Sequence, residues 1–198
     1  MARLIYVPVL HSTAEMGSAA SAYKAAFIAR YGEARWASRT AEFDAIWGAV
    51  ADAIQALELN FTHVKLYQDS LPVCGRESEL VSSLAAVGSQ NHQLLESLMH
   101  RGATLVGTES PTLLLDEYKL MQSQDRTDAK AAALLEARDR FIAKQIDSTL
   151  GDGDVGILFM GALHKVAQFL PERIKAEYLT IQTNSSRSKT DAGGVECK

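Results

Sequence analysis

Five residues of this 198-residue chain carry side chains suited to a metal or acid–base site, and four of them stand just after segments that read as β-strands. His11 closes the first such segment, with Glu15 one helical turn further on. Asp69 follows the second, Glu109 in Thr108-Glu109 the third, and His164 the fourth. Imidazole nitrogen and carboxylate oxygen are the usual ligands of catalytic Zn, Mn or Fe sites that keep one coordination position open. The spacing forms no local motif such as HExxH, so each ligand has to be delivered by a different strand. The competing reading is structural, because strand-end His and Asp side chains also cap the helices that follow them.

Arg138 is a second and independent signal. It stands in a helical pattern in which Ala131, Leu134, Leu135, Phe141, Ile142 and Gln145 share a face, so it is expected to point inward. A buried guanidinium stays charged and must find a carboxylate, a set of carbonyls or a ligand anion.

The elements that position these residues are legible from hydrophobic periodicity. Leu4 to Leu10 reads as a buried strand, and a helix from Ser18 closes at Gly32. Phe43, Ile46, Trp47, Val50, Ile54 and Leu57 form one helical stripe. His63 to Gln68 alternates like a strand, and Glu77 to Arg101 reads as one long helix or as two meeting at Gly88. Ala103 to Val106 is a short strand, and Ser110-Pro111 opens a helix running to about Met121. A helix over Thr127 to Leu150 precedes the strand Val155 to Met160, and a short helix stopped by Pro171 follows. Glu177 to Gln182 is expected as an edge strand, while Asn184 to Lys198 lacks aliphatic periodicity. Strands alternating with helices predict a three-layer α/β fold, its sheet mainly parallel with helices on both faces. A single domain over 1–182 with a disordered tail over 183–198 accounts for the chain.

Composition narrows the function. With 47% hydrophobic and 22% charged residues the chain can build a core without disulfides or a structural metal. Twenty basic against 24 acidic residues give a net charge of −4, which argues against nucleic acid or anionic membranes as partners. The longest apolar stretches are strand-length and lack the pattern of a signal or membrane span, so a cytoplasmic location is expected. Cys74 and Cys197 form neither a disulfide framework nor a CxxC site.

Several signals have simpler explanations. Gly151-x-Gly153-x-x-Gly156 precedes a strand instead of following one, so it is a turn and not a dinucleotide loop. Cys74 lacks a nearby His in sequence to make it a nucleophile. His63, His92 and His100 read as surface residues, the run Ser89 to His92 as a polar helix face or break, and Trp36 and Trp47 as core or interface.

The segment Arg138-Asp139-Arg140-Phe141-Ile142-Ala143, a dozen residues, and a strand ending in Gly161-Ala162-Leu163-His164 together resemble the C-terminal half of the TraB/Tiki superfamily. That group shows an Arg-Asn/Asp-x-x-Met/Ile-Ala helix, then a strand and a Gly-x-x-His motif. Pro8-Val9-Leu10-His11 is similar to its first Gly-x-x-His, with Pro8 in the place of glycine, and Asp69 matches its second-strand acid by position. The resemblance covers residues 3–12 and 130–170. It implies an α/β fold in which two histidines, an acid and an arginine form one site, a metal-dependent peptidase in Tiki-like members and an esterase or haem-binding protein in related folds.

These readings combine into one expectation, a metal-dependent hydrolase, peptidase- or esterase-like, acting on a peptide or small molecule. His11 and His164 would hold a divalent metal with Asp69, or else Glu109, as third ligand, Glu15 or Glu109 would act as base, and Arg138 would face the developing oxyanion. The alternative is a non-catalytic module that uses Arg138 and the strand-end groups to hold a small anion or haem. A homodimer is compatible with either.

Overall fold

The structure is a computed structural model that describes residues 1–9 and 20–181. Five parallel strands, β1 (Ala2–Pro8), β2 (Val64–Gln68), β3 (Thr104–Val106), β4 (Val155–Met160) and β5 (Ile174–Tyr178), form one sheet in the order β3-β2-β4-β1-β5. Parallel neighbours require crossovers, and among the described residues six helices supply those before β4. These are α1 (Ala20–Tyr31), α2 (Glu33–Gln55), α3 (Glu77–Ala86), α4 (Gln90–His100), α5 (Pro111–Gln122) and α6 (Asp128–Thr149).

Side chains alternate across the sheet and build a core on each face. Ile5, Val7, Leu66, Ile157 and Phe159 pack with Trp47, Val50 and Ile54 of α2 and with Leu95 and Leu98 of α4. Leu4, Tyr67, Leu158 and Met160 pack with Ile142, Ala143 and Ile146 of α6. This is the three-layer α/β arrangement, and the central strands are apolar on both faces because helices cover both. Close packing across β4 depends on Gly156, where a Cβ would stand 2.6 Å from Leu4 Cδ1.

Local signals set most boundaries. Ser110 accepts a hydrogen bond from the Leu113 amide with Pro111 behind it, and Thr127 caps α6 by accepting from the Lys130 amide. The stretch from Glu77 divides into α3 and α4 around Gly88, whose φ of 93° is costly for any other residue. The edge strand is Ile174–Tyr178 and not Glu177 to Gln182, since pairing of Ala2 with Ile174 sets its register on β1. The turn expected to be a short helix before Pro171 is a single 3₁₀ turn, Val166–Phe169. The tail expected to be disordered lies, from residue 182 on, outside the described residues. No helix among those described is long and apolar enough to cross a membrane.

Topology also singles out one place on the sheet. From β2 the chain moves outward to β3, whereas from β4 it moves the other way, past β1, to β5. Ligands in open parallel sheets sit beyond the carboxyl ends of the strands at such a reversal. Asp69 leaves β2 and Gly161 leaves β4 at that point.

Candidate active site

Asp69 joins the two sides of the reversal. Its Oδ2 accepts a hydrogen bond from the Gly161 amide at 3.0 Å, and the Asp69 amide donates to Phe159 at the end of β4. A glycine leaves room for this contact, because a Cβ on Gly161 would stand 3.0 Å from that same carboxylate oxygen and push it aside. Ser70, next in the chain, takes a left-handed φ of 61°. Such a backbone is strained for a non-glycine residue and has to be held by its surroundings. Here the Ser70 amide donates to Glu109 Oε1 at 2.9 Å and the hydroxyl to Asp69 Oδ1 at 3.2 Å.

Glu109 is delivered by the loop after β3, which is zipped onto the loop after β2. The Thr108 and Glu109 amides both donate to the Leu71 carbonyl, and the Val73 amide donates to the Glu109 carbonyl. Glu109 is fully buried and faces Arg138, which is 4% exposed. Nε of Arg138 donates to Oε2 and Nη2 to Oε1, both at 2.6 Å. Nη1 donates to Glu117 on α5 at 2.6 Å, and Nη2 reaches Asp69 Oδ1 at 3.3 Å. Burial by itself opposes the guanidinium's charge, but the carboxylates outweigh it and raise the pKa of Arg138 beyond its ordinary value.

His164 follows β4 and is fixed by a residue the sequence reading passed over. Its Nδ1 donates to Asp139 Oδ1 at 2.6 Å, while Asp139 Oδ2 accepts the Lys165 amide at 2.8 Å. That bond sets the tautomer and turns Nε2 toward Asp69 Oδ1, 3.8 Å away. Burial lowers the histidine's pKa, yet the hydrogen bond to Asp139 and the charges of Asp69 and Asp139 win, leaving it raised above 6.5. Ligand atoms of Asp69, Glu109 and His164 lie within 4.8 Å of one another, close enough to hold a metal ion.

Four of the predicted residues, Asp69, Glu109, Arg138 and His164, thus come together, while His11 and Glu15 lie outside the described residues. Asp139 could have been found from spacing, since it shares a buried stripe with Ile142, Ala143 and Ile146. The same holds for Asn91, in step with Leu95 and Leu98 on α4. Asn91 Nδ2 donates to Gln68 Oε1, and Gln68 Nε2 donates to the Asp69 carbonyl, a buried amide chain beneath the site. His92 is buried too, with Nδ1 2.7 Å from Ser89 Oγ, so it and its neighbours are not the surface run expected. His63 and His100 are exposed, as is Cys74.

The assembled groups are close enough to hold a cation and include an imidazole with acid–base capacity. Asp69 and Glu109 are buried carboxylates facing the buried guanidinium, Glu117 adds a third at the rim, and Asp139 is a further buried carboxylate on the His164 imidazole. All four hydrogen bonds of Arg138 go to Glu109, Glu117 and Asp69. The surplus negative charge favours a protonated imidazole or a metal cation and opposes an anion. No protein-family model, curated protein or solved structure matches this chain.

Proposed function

We propose that this edge is the active centre of a hydrolase that holds a divalent cation between the His164 imidazole and the Asp69 carboxylate and cleaves a peptide or ester. One observation carries the reading: a buried imidazole, fixed through Nδ1 by Asp139, aims Nε2 at Asp69 Oδ1 across 3.8 Å. A carboxylate behind a histidine is the usual support of a metal-binding imidazole, because it fixes the tautomer and raises the ring's basicity. The surplus of buried carboxylates fits such a cation, which when bound acidifies a water and polarises a carbonyl. Zn, Mn and Fe suit this mixed nitrogen and oxygen set.

The remaining residues have positioning roles. Glu109 uses both oxygens on Arg138, so it serves as the guanidinium's fixed counter-charge, with any part as third ligand shared. Arg138 in turn steadies Asp69, and the Gly161 amide holds the other carboxylate oxygen. The two segments that resemble TraB/Tiki proteins, around Arg138 and Gly161 to His164, meet on Asp69, which supports the same reading.

Elemental analysis of protein purified without chelator, with His164→Ala and Asp69→Asn beside it, tests the proposal. About one equivalent of metal, lost in both variants, is expected. Equal metal in all three proteins, or none after reconstitution, overturns it. A second reading, favoured by the raised pKa of His164, is a cation-free acid–base pair of His164 and Asp139. It predicts hydrolysis that survives chelator and is lost in His164→Ala.

A further inference from the structure

β5 ends the sheet, and its outer edge is open. Among the described residues only β1 pairs with it, and Lys175, Ala176, Glu177 and Tyr178 are all exposed. Bonds at its two ends fix which backbone groups face inward. The Ala2 amide donates to the Arg173 carbonyl, and the Leu179 amide donates to the Tyr6 carbonyl. Backbone groups alternate in direction along a strand, so the odd-numbered residues serve β1 and the even-numbered ones point away from the sheet. Of these, the Ile174 amide turns back to the Pro171 carbonyl. The Ile174 carbonyl, both groups of Ala176 and the Tyr178 amide have no hydrogen bond among the described residues. An exposed strand edge without proline or bulge is a template for a further strand.

The side chains on this edge complement themselves. Glu177 accepts both bonds from Arg3, from Nε at 3.1 Å and from Nη2 at 2.6 Å, on Oε1, and its Oε2 has no partner among the described residues. Lys175 stands beside Arg3 in the sheet register and makes no ion pair among the described residues. On the other face Tyr178 is 74% exposed, its ring tilted on that of Tyr6 with centroids 5.4 Å apart.

We propose that β5 pairs antiparallel with β5 of a second copy, about a two-fold axis through Ala176, joining the two sheets into one. The outward groups of the even-numbered residues then meet. The two Ala176 residues exchange amide-to-carbonyl bonds, and each Tyr178 amide donates to the Ile174 carbonyl of the other copy. Charge selects this register over its neighbours. Lys175 stands opposite Glu177 of the other copy, twice by symmetry, at the non-hydrogen-bonded positions where side chains are closest. A shift by two residues in either direction would set Lys175 against Lys175 or Glu177 against Glu177. Tyr178 lies opposite Ile174 of the other copy, an aromatic and β-branched pair of the kind that stabilises sheets. A lysine alone on an edge discourages pairing, but with glutamate two residues on it specifies the partner. The chain's own residues from 183 on suit the added strand poorly, because Ser, Asn, Asp, Gly and Lys make up most of them.

Charge reversal in the full chain tests this. Wild type is expected to dimerise reversibly in sedimentation over a concentration series reaching about 1 mM. Lys175→Glu and Glu177→Lys each set like charges opposite one another, and each is expected to weaken the dimer roughly tenfold or more. Both positions are exposed, so circular dichroism is expected to stay unchanged. Mixed in equal amounts, the two variants are expected to form a heterodimer of about wild-type affinity, because every opposed pair again has opposite signs. In a Cys74→Ser/Cys197→Ser background, Lys175→Cys chains are expected to form disulfides with Glu177→Cys chains in preference to their own kind. A wild-type chain that stays monomeric, a dimer indifferent to either reversal, or a mixture as dissociated as its components overturns the proposal. So do cysteine variants that link chiefly to themselves.

Discussion

Arg138 and Glu109 form a two-bond ion pair, both bonds 2.6 Å, at a depth where Glu109 has no solvent exposure. A pair so placed gains less over an apolar replacement than it loses when halved. Arg138→Met is therefore expected to cost about 3–5 kcal/mol of unfolding free energy in urea, because Glu109 is left charged and buried. The double variant Glu109→Leu/Arg138→Met should be more stable than Arg138→Met alone. Costs that simply add would show that the two groups are not coupled in this way.

His164 makes stability depend on pH in a defined direction. Its folded pKa is raised above the ordinary 6.5, so the protonated ring favours the native state. Its contribution is fully present below 6.5 and disappears as pH climbs through the raised folded value. In metal-free protein the stability gap between wild type and His164→Gln should narrow from pH 6 to pH 8 by roughly the linkage relation. Asp139→Asn should lower the imidazole titration followed by NMR. A gap that widens with pH would refute the assignment.

How much of this was legible beforehand divides along physical lines. The parallel strands and most helices follow from local signals, such as the proline-backed cap at Ser110 or the glycine at position 88, which act on their immediate neighbours. Arg138 was readable as inward because a charged residue on an apolar stripe has few alternatives. The order β3-β2-β4-β1-β5, and with it the contact of Asp69 with Gly161, depends on pairing between segments far apart in sequence. Asp139, Asn91 and His92 were missed for a different reason. Asn91 and His92 were read as part of a polar face or break, and Asp139 was given no role beside Arg138, although helical spacing placed Asp139 and Asn91 on the buried face.

Glu77 offers a titration outside the site. Its Oε1 accepts the Cys74 and Gly75 amides ahead of α3, and these bonds hold its pKa below the usual 4.5. A depressed folded pKa stabilises the protein above 4.5 and loses that effect as pH falls through the lower value. Glu77→Gln is expected to cost about 0.3–1 kcal/mol near neutrality, as for a helix N-terminal carboxylate. The cost should vanish at low pH in parallel urea titrations. Equal cost at pH 7 and at pH 3 would assign the effect to packing.

Gly161 tests whether the position of Asp69 is what the site requires. The Asp69 carboxylate approaches Gly161 both through the amide bond at 3.0 Å and over the bare Cα, where an added Cβ would also be 3.0 Å from Oδ2. A carboxylate forced away by a few tenths of an ångström keeps its charge and its bond to Arg138 but changes its distance to His164 Nε2. Gly161→Ala should therefore cost about 1–3 kcal/mol as a small overpacking change, leaving the protein folded. Metal content and hydrolysis should fall well beyond what that loss of stability explains. Asp69→Asn, which keeps the shape and removes the charge, separates the two effects: loss in both variants ties the site to carboxylate position as well as charge. Full metal binding in Gly161→Ala would mean that the cation does not use Asp69.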